Sequence, residues 1–159
     1  MVVGEGYAGF TCGTTKVLSR LIDESYPNYE AVIPVENDKT LTVNRDSLLA
    51  AAKRVALYSS SLTHQIRLGL KPGVVEISAE DIERASEARE SVMCEYDGAE
   101  MEIGFNSQYL VEVLTNLGVD EVKFEFSTPN RAGVVMPSDQ LDGENVLMLI
   151  MPVMLNTYA

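Results

Sequence analysis

One pattern occurs twice in this chain, 62 positions apart: Leu41-Thr42-Val43-Asn44-Arg45-Asp46-Ser47-Leu48-Leu49 and Ile103-Gly104-Phe105-Asn106-Ser107-Gln108-Tyr109-Leu110-Val111. Each copy opens on a short alternating segment that reads as a strand. An Asn then stands where a helix N-cap belongs, and an apolar helical period follows. In the second helix Tyr109, Leu110, Val113, Leu114 and Leu117 share a stripe, with Gly118 as the expected stop. The first helix is expected from Arg45 to about Ser59, with Leu48, Leu49, Ala52, Val55 and Ala56 on its apolar side and Lys53 and Arg54 towards the other.

Alternating segments follow each helix. After the first they cover roughly 64–70, 73–78 and 87–96, and after the second roughly 121–127, 132–136 and 145–151. Each unit is therefore β-α-β-β-β, and two units account for 39–155. Two like units with amphipathic faces predict one α+β domain, with antiparallel sheets and two helices on one face. Residues 1–34 do not make a third unit. Ala8-Gly9-Phe10-Thr11 and Val17-Leu18-Ser19-Arg20-Leu21-Ile22 match the closing strands of the second unit, and Pro27, Pro34 and Asn37-Asp38 read as a connector. The expectation is a chain that forms the last part of a longer protein built from repeated domains.

Chemistry-bearing motifs are scarce. A single His64 and two distant cysteines, Cys12 and Cys94, are too few for a four-ligand zinc site, and no motif surrounds His64. The cysteines are expected to be reduced and structural. There is no Gly-rich dinucleotide fingerprint and no phosphate-binding loop. The acidic stretch Glu76, Glu80, Asp81, Glu83, Glu87 and Glu90 is read as the solvated face of a hairpin. No metal, no cofactor and no catalytic residue is expected. No run approaches the ~18–20 apolar residues of a bilayer span, and the first residues lack a signal-peptide pattern, so a cytoplasmic protein without membrane contact is expected. A formal charge of −12 argues against free-standing binding to nucleic acid. Yet Lys39, Arg45, Lys53, Arg54 and Arg67 put five of the twelve basic residues within 39–67.

Ser19-Arg20-Leu21-Ile22-Asp23, running into Tyr26-Pro27-Asn28-Tyr29 and Val32-Ile33-Pro34, resembles the connector between the second and third domains of bacterial sliding clamps, the beta subunit of DNA polymerase III. Gly98-Ala99-Glu100-Met101-Glu102-Ile103-Gly104-Phe105-Asn106 is similar to a stretch of that family's third domain, and Met151-Pro152-Val153-Met154-Leu155 to its C-terminal segment. The resemblance implies a DNA-clamp domain, with 1–34 the end of a second domain plus connector and 35–159 the third. It implies a non-catalytic processivity factor: a ring-shaped homodimer, in the full-length protein, that encircles duplex DNA without sequence preference. The DNA polymerase III alpha subunit, clamp-loader subunits and other clamp-binding-motif proteins would be its partners.

By the same resemblance, the partner-peptide groove would use Pro27, Tyr29, Val32, Asn106, Tyr109 and the tail Leu149, Ile150, Met151, Pro152, Val153, Met154 and Leu155. Methionines in that tail suit a surface that accepts varied apolar peptides. Without the resemblance the same tail reads as a last core strand, and Asn106 as a plain N-cap. DNA would face Arg45, Lys53 and Arg54, residues that serve equally as a solvated helix face. Leu57 and Tyr58 would meet the other subunit, or else belong to the core. Ala31 and Met154 stand where the family often carries a basic residue, and Asn156 to Ala159 extend past its usual end. The alternative function is a stand-alone α+β peptide-binding module that never encircles DNA.

Overall fold

The computed structural model describes residues 1–155. They fall into two units, Met1–Val32 and the residues from Ile33 onward. The first is a three-stranded antiparallel meander of β1 (Val2–Gly4), β2 (Tyr7–Cys12) and β3 (Thr15–Arg20), followed by a 3-10 turn at Tyr29–Val32. Strand β1 had no counterpart in the sequence reading. Of its residues only Ala8 is buried; Val2, Val3, Tyr7, Phe10, Val17 and Leu18 are all exposed.

The second unit carries the repeat. Its first copy is β4 (Lys39–Asn44), α1 (Arg45–Ala56), β5 (Gln65–Lys71), β6 (Val74–Asp81) and β7 (Ser86–Asp97). Its second is β8 (Met101–Asn106), α2 (Ser107–Asn116), β9 (Glu121–Phe126), β10 (Gly133–Pro137) and β11 (Met148–Ile150). All pairings are antiparallel, in the order β11-β10-β9-β4-β7-β6-β5-β8. The copies exchange their opening strands: β4 pairs with β9 of the second, and β8 with β5 of the first. Neither copy can therefore complete its sheet alone.

The helices close over this sheet. Helix α1 packs on β4, β5, β6 and β7, α2 on β8 and β11, and the helices touch each other. Alternation along β5 and β6 sends Ile66, Leu68, Leu70, Val75, Ile77 and Ala79 inward against Leu48, Ala51, Ala52 and Val55 of α1. Phe124 stacks on Phe126 at 5.7 Å between ring centroids, and Phe126 meets Phe105 of the exchanged strand at 6.3 Å. The α+β domain of two β-α-β-β-β repeats is as the sequence predicts.

Local details differ. Helix α1 ends at Ala56, three residues before the expected Ser59, because the chain tightens there: Leu57, Tyr58 and Ser59 donate backbone N–H groups three residues back. Ala51 takes the buried place expected of Ala56, which is only half-buried. Helix α2 is not stopped by Gly118. Thr115 Oγ1 and Asn116 Nδ2 take the carbonyls of Val111 and Glu112, and Leu117 turns extended to bury its side chain. Tyr109 leaves the expected apolar stripe and is 60% exposed, Val113 is half-buried, and Ser107, Leu110 and Leu114 face inward. The last strand is shorter than 145–151. Gln140 donates through Nε2 to the Val146 carbonyl and accepts through Oε1 from its N–H, so pairing with β10 begins only at Met148.

Candidate functional site

In the second unit the tail is set by β8. The second repeat has Gly104 where the first has Thr42. Beyond β11, Val153 forms a single antiparallel bridge to Gly104, its N–H donating to the Gly104 carbonyl at 2.9 Å. A Cβ at position 104 would stand 2.7 Å from Leu155 Cδ2 and 2.8 Å from the Val153 carbonyl oxygen. Only glycine lets the tail lie this close. The glycine-for-threonine difference between the repeats was visible in the sequence; its consequence was not.

The tail is not a plain core strand. Ile150 is buried, Leu149, Pro152, Val153 and Leu155 are half-buried, and Met151 and Met154 are 62% and 72% exposed. The bridge brings the tail to β8, whose next residues lead to Asn106 and α2. Asn106 caps α2, its Oδ1 accepting from the Gln108 N–H at 2.9 Å. Tyr109 projects from the first turn of the same helix. Pro27, Tyr29 and Val32 belong to the first unit. All three are exposed, the Pro27 carbonyl accepts from the Tyr29 N–H, and Tyr26 meets the Tyr29 ring edge-on at 6.2 Å. Asn156 to Ala159 lie outside the described residues.

The three helix cations differ. Arg45 is largely enclosed: its Nε donates to the Val119 carbonyl at 3.1 Å and its guanidinium pairs with Asp46. Arg54 holds Glu90 through two short bonds, which keeps that carboxyl below its usual range. Lys53 is exposed and makes no ion pair among the described residues. Leu57 is 77% exposed and Tyr58 44%, so neither is core.

The acidic hairpin is mostly solvent-facing, but Asp81 is buried and accepts from the Arg84 N–H. A cavity of about 590 Å³ opens beside this hairpin and is lined by Gln65, Arg67, Ser78, Glu80, Glu87 and Arg89 among others. Its arginines are paired, Arg67 with Glu102 and Arg89 with Glu76. No group of three His, Cys, Asp or Glu among the described residues could hold a metal ion. His64 stands just before β5 at φ 49°, a left-handed position, and its carbonyl accepts from the Ser107 N–H at the start of α2. Both cysteines are free; burial pushes the Cys94 thiol up, while Cys12 is exposed. No described helix is long and apolar enough to cross a membrane.

Comparison with known proteins adds a family. The model of the DNA polymerase III beta subunit, C-terminal domain, matches residues 30–153. The beta sliding clamp of Pseudomonas aeruginosa is 36% identical over 148 residues, which are 93% of this chain and 40% of that protein. The beta sliding clamp of Caulobacter vibrioides is 34% identical over 143 residues, 90% of this chain and 37% of that protein. Among solved structures, a P. aeruginosa sliding clamp bound to griselimycin is 36% identical at a TM-score of 0.90, covering 97% of this chain and 41% of that one. A Bartonella birtlesii sliding clamp bound to griselimycin is 28% identical at 0.89, covering 96% and 40%. The chain thus spans about 40% of the length of these relatives.

Proposed function

The chain belongs to the DNA polymerase III beta-subunit family, through the family's C-terminal domain, and from that premise we propose that it is the C-terminal part of a replication processivity clamp. Residues 1–34 are the end of a second clamp domain with its connector, and 35–159 are the third. The full-length protein is a cytoplasmic, ring-shaped homodimer around duplex DNA. It catalyses nothing itself and tethers the DNA polymerase III alpha subunit, clamp-loader subunits and other proteins by a short apolar peptide of each.

The observation that carries this reading is the tail laid over Gly104, with Met151, Met154 and Tyr109 exposed beside a buried Ile150. Flexible thioethers and an aromatic edge, held by a backbone bridge, form a surface to which differently shaped apolar side chains can adapt. In this proposal Pro27, Tyr29, Val32, Asn106, Tyr109 and Leu149 to Leu155 receive the peptide. Leu57 and Tyr58 meet the neighbouring subunit, as their exposure allows. With no basic residue at Ala31 or Met154, recognition depends on apolar fit more than on charge.

The test is fluorescence anisotropy with a labelled Gln-Leu-x-Leu-Phe peptide, comparing the full chain with the same chain cut after Pro152. Saturable binding that disappears on truncation is expected. Equal binding by both chains would remove the tail from the site.

A further inference from the structure

The closest ion pair among the described residues is Arg54 with Glu90. Nε donates to one carboxylate oxygen at 2.7 Å and a terminal guanidinium nitrogen to the other at 2.6 Å. This is the bidentate fork that makes Arg–carboxylate pairs directional as well as attractive. It joins the last turn of α1 to the middle of β7 across 36 residues of sequence. Arg54 also roots the turn that follows, because its carbonyl accepts from the Leu57 N–H. Immediately beyond stand the exposed Leu57 and Tyr58.

A residue bound in this way is poorly placed to grip a phosphate. Turning to DNA would exchange one fork-matched anion for another, and it would leave the Glu90 carboxylate next to the phosphate it must repel. Arg45 is occupied at the other end of the helix, and only Lys53 is left uncompensated.

We propose that Arg54 is a positioning residue, which fixes the exposed Leu57–Tyr58 turn against β7 through its fork with Glu90, and that Lys53 is the cation of this helix that meets DNA phosphate. The DNA half rests on the clamp reading above; the positioning half does not.

Two measurements on the full chain separate them. Hydrogen exchange followed by mass spectrometry reads the 55–59 segment in Arg54→Ala, Arg54→Lys and the double exchange Arg54→Glu with Glu90→Arg. Exchange several-fold faster than wild type is expected for Arg54→Ala. Partial recovery is expected for Arg54→Lys, whose ammonium is a point charge without a fork, and recovery to the wild-type rate in the double exchange. A double exchange as fast as Arg54→Ala, or an Arg54→Ala no faster than wild type, would overturn the positioning role.

Binding of a fluorescent 30-mer duplex across a salt series reads the DNA half. Lys53→Ala should lower the slope of log affinity against log salt by about 0.9, one phosphate contact. The double exchange, which keeps the pair neutral, should leave that slope unchanged. A slope reduced by the double exchange would make Arg54 a phosphate contact and end the proposal. A wild-type chain without duplex binding at low salt would end the Lys53 half of the proposal. The clamp reading, which holds DNA by encirclement in the full-length protein, would stand, and the exchange arm would still decide the role of Arg54.

Discussion

The two repeats start alike and finish differently. In the first, β7 is twelve residues long, pairs with β6 along most of its length and then with β4 from Cys94 to Asp97. In the second, the closing strand β11 has three residues, and the matching connection to β8 shrinks to one bridge at Gly104. The first repeat spends its last strand on a continuous ladder. The second leaves backbone and apolar side chains of the tail partly free, and its exposed methionines sit there. A duplicated fold can thus keep one copy as scaffold and loosen the other into an open edge, by changing one strand residue and the length of one strand.

The helix caps differ in the same direction. Asn44 accepts from both the N–H and the hydroxyl of Ser47 and donates to the Asp120 carbonyl, whereas Asn106 accepts from Gln108 alone.

The largest effect should come from breaking what the repeats share. Phe126 lies between Phe105 and Phe124, fully buried, so Phe126→Ala should cost about 3–5 kcal/mol in urea-induced unfolding. A loss under about 1 kcal/mol would mean that the two halves are not held by this cluster.

Next comes a substitution that makes the repeats more alike. Gly104→Thr places a branched side chain against Leu155 and the Val153 carbonyl, and should destabilise by about 1–3 kcal/mol or displace the tail. Its readouts are urea unfolding and hydrogen exchange of Val153. The reverse change, Thr42→Gly, meets an intact ladder and should cost only about 0.5–1 kcal/mol. Equal costs would dissolve the distinction between scaffold and edge.

The smallest effect sharpens the contrast between the caps. Asn106→Ala should cost about 1 kcal/mol by thermal unfolding, and Asn44→Ala closer to about 2 kcal/mol, since it also removes the bond to Asp120. The opposite ranking would show that the extra bonds of Asn44 contribute nothing net.

Much of this was legible in the residues. Strand alternation, the Asn caps and the helical stripes depend on neighbours two to four positions away, so the linear pattern carries them. The duplication and the resemblance to the clamp family were readable for the same reason. Where local reading failed, a distant partner had intervened. Gln140 took the backbone groups of Val146 and shortened the last strand, and burial of Leu117 ended α2 before Gly118 could.

The candidate site divides along the same line. That the tail is apolar and rich in methionine, and that cations gather on the first helix, was plain from the sequence. Which of those groups are available was decided by the tertiary structure alone. Arg54 is engaged because β7 brings Glu90 beside it, Arg45 because the α2–β9 loop offers a carbonyl, and the tail is held because Gly104 has no side chain where Leu155 rests. Local pattern specifies the period and polarity of an element, since those energies act between near neighbours. The pairing of a charge or an exposed edge depends on groups far off in the chain, which meet only when the exchanged strands of the two repeats have closed one sheet.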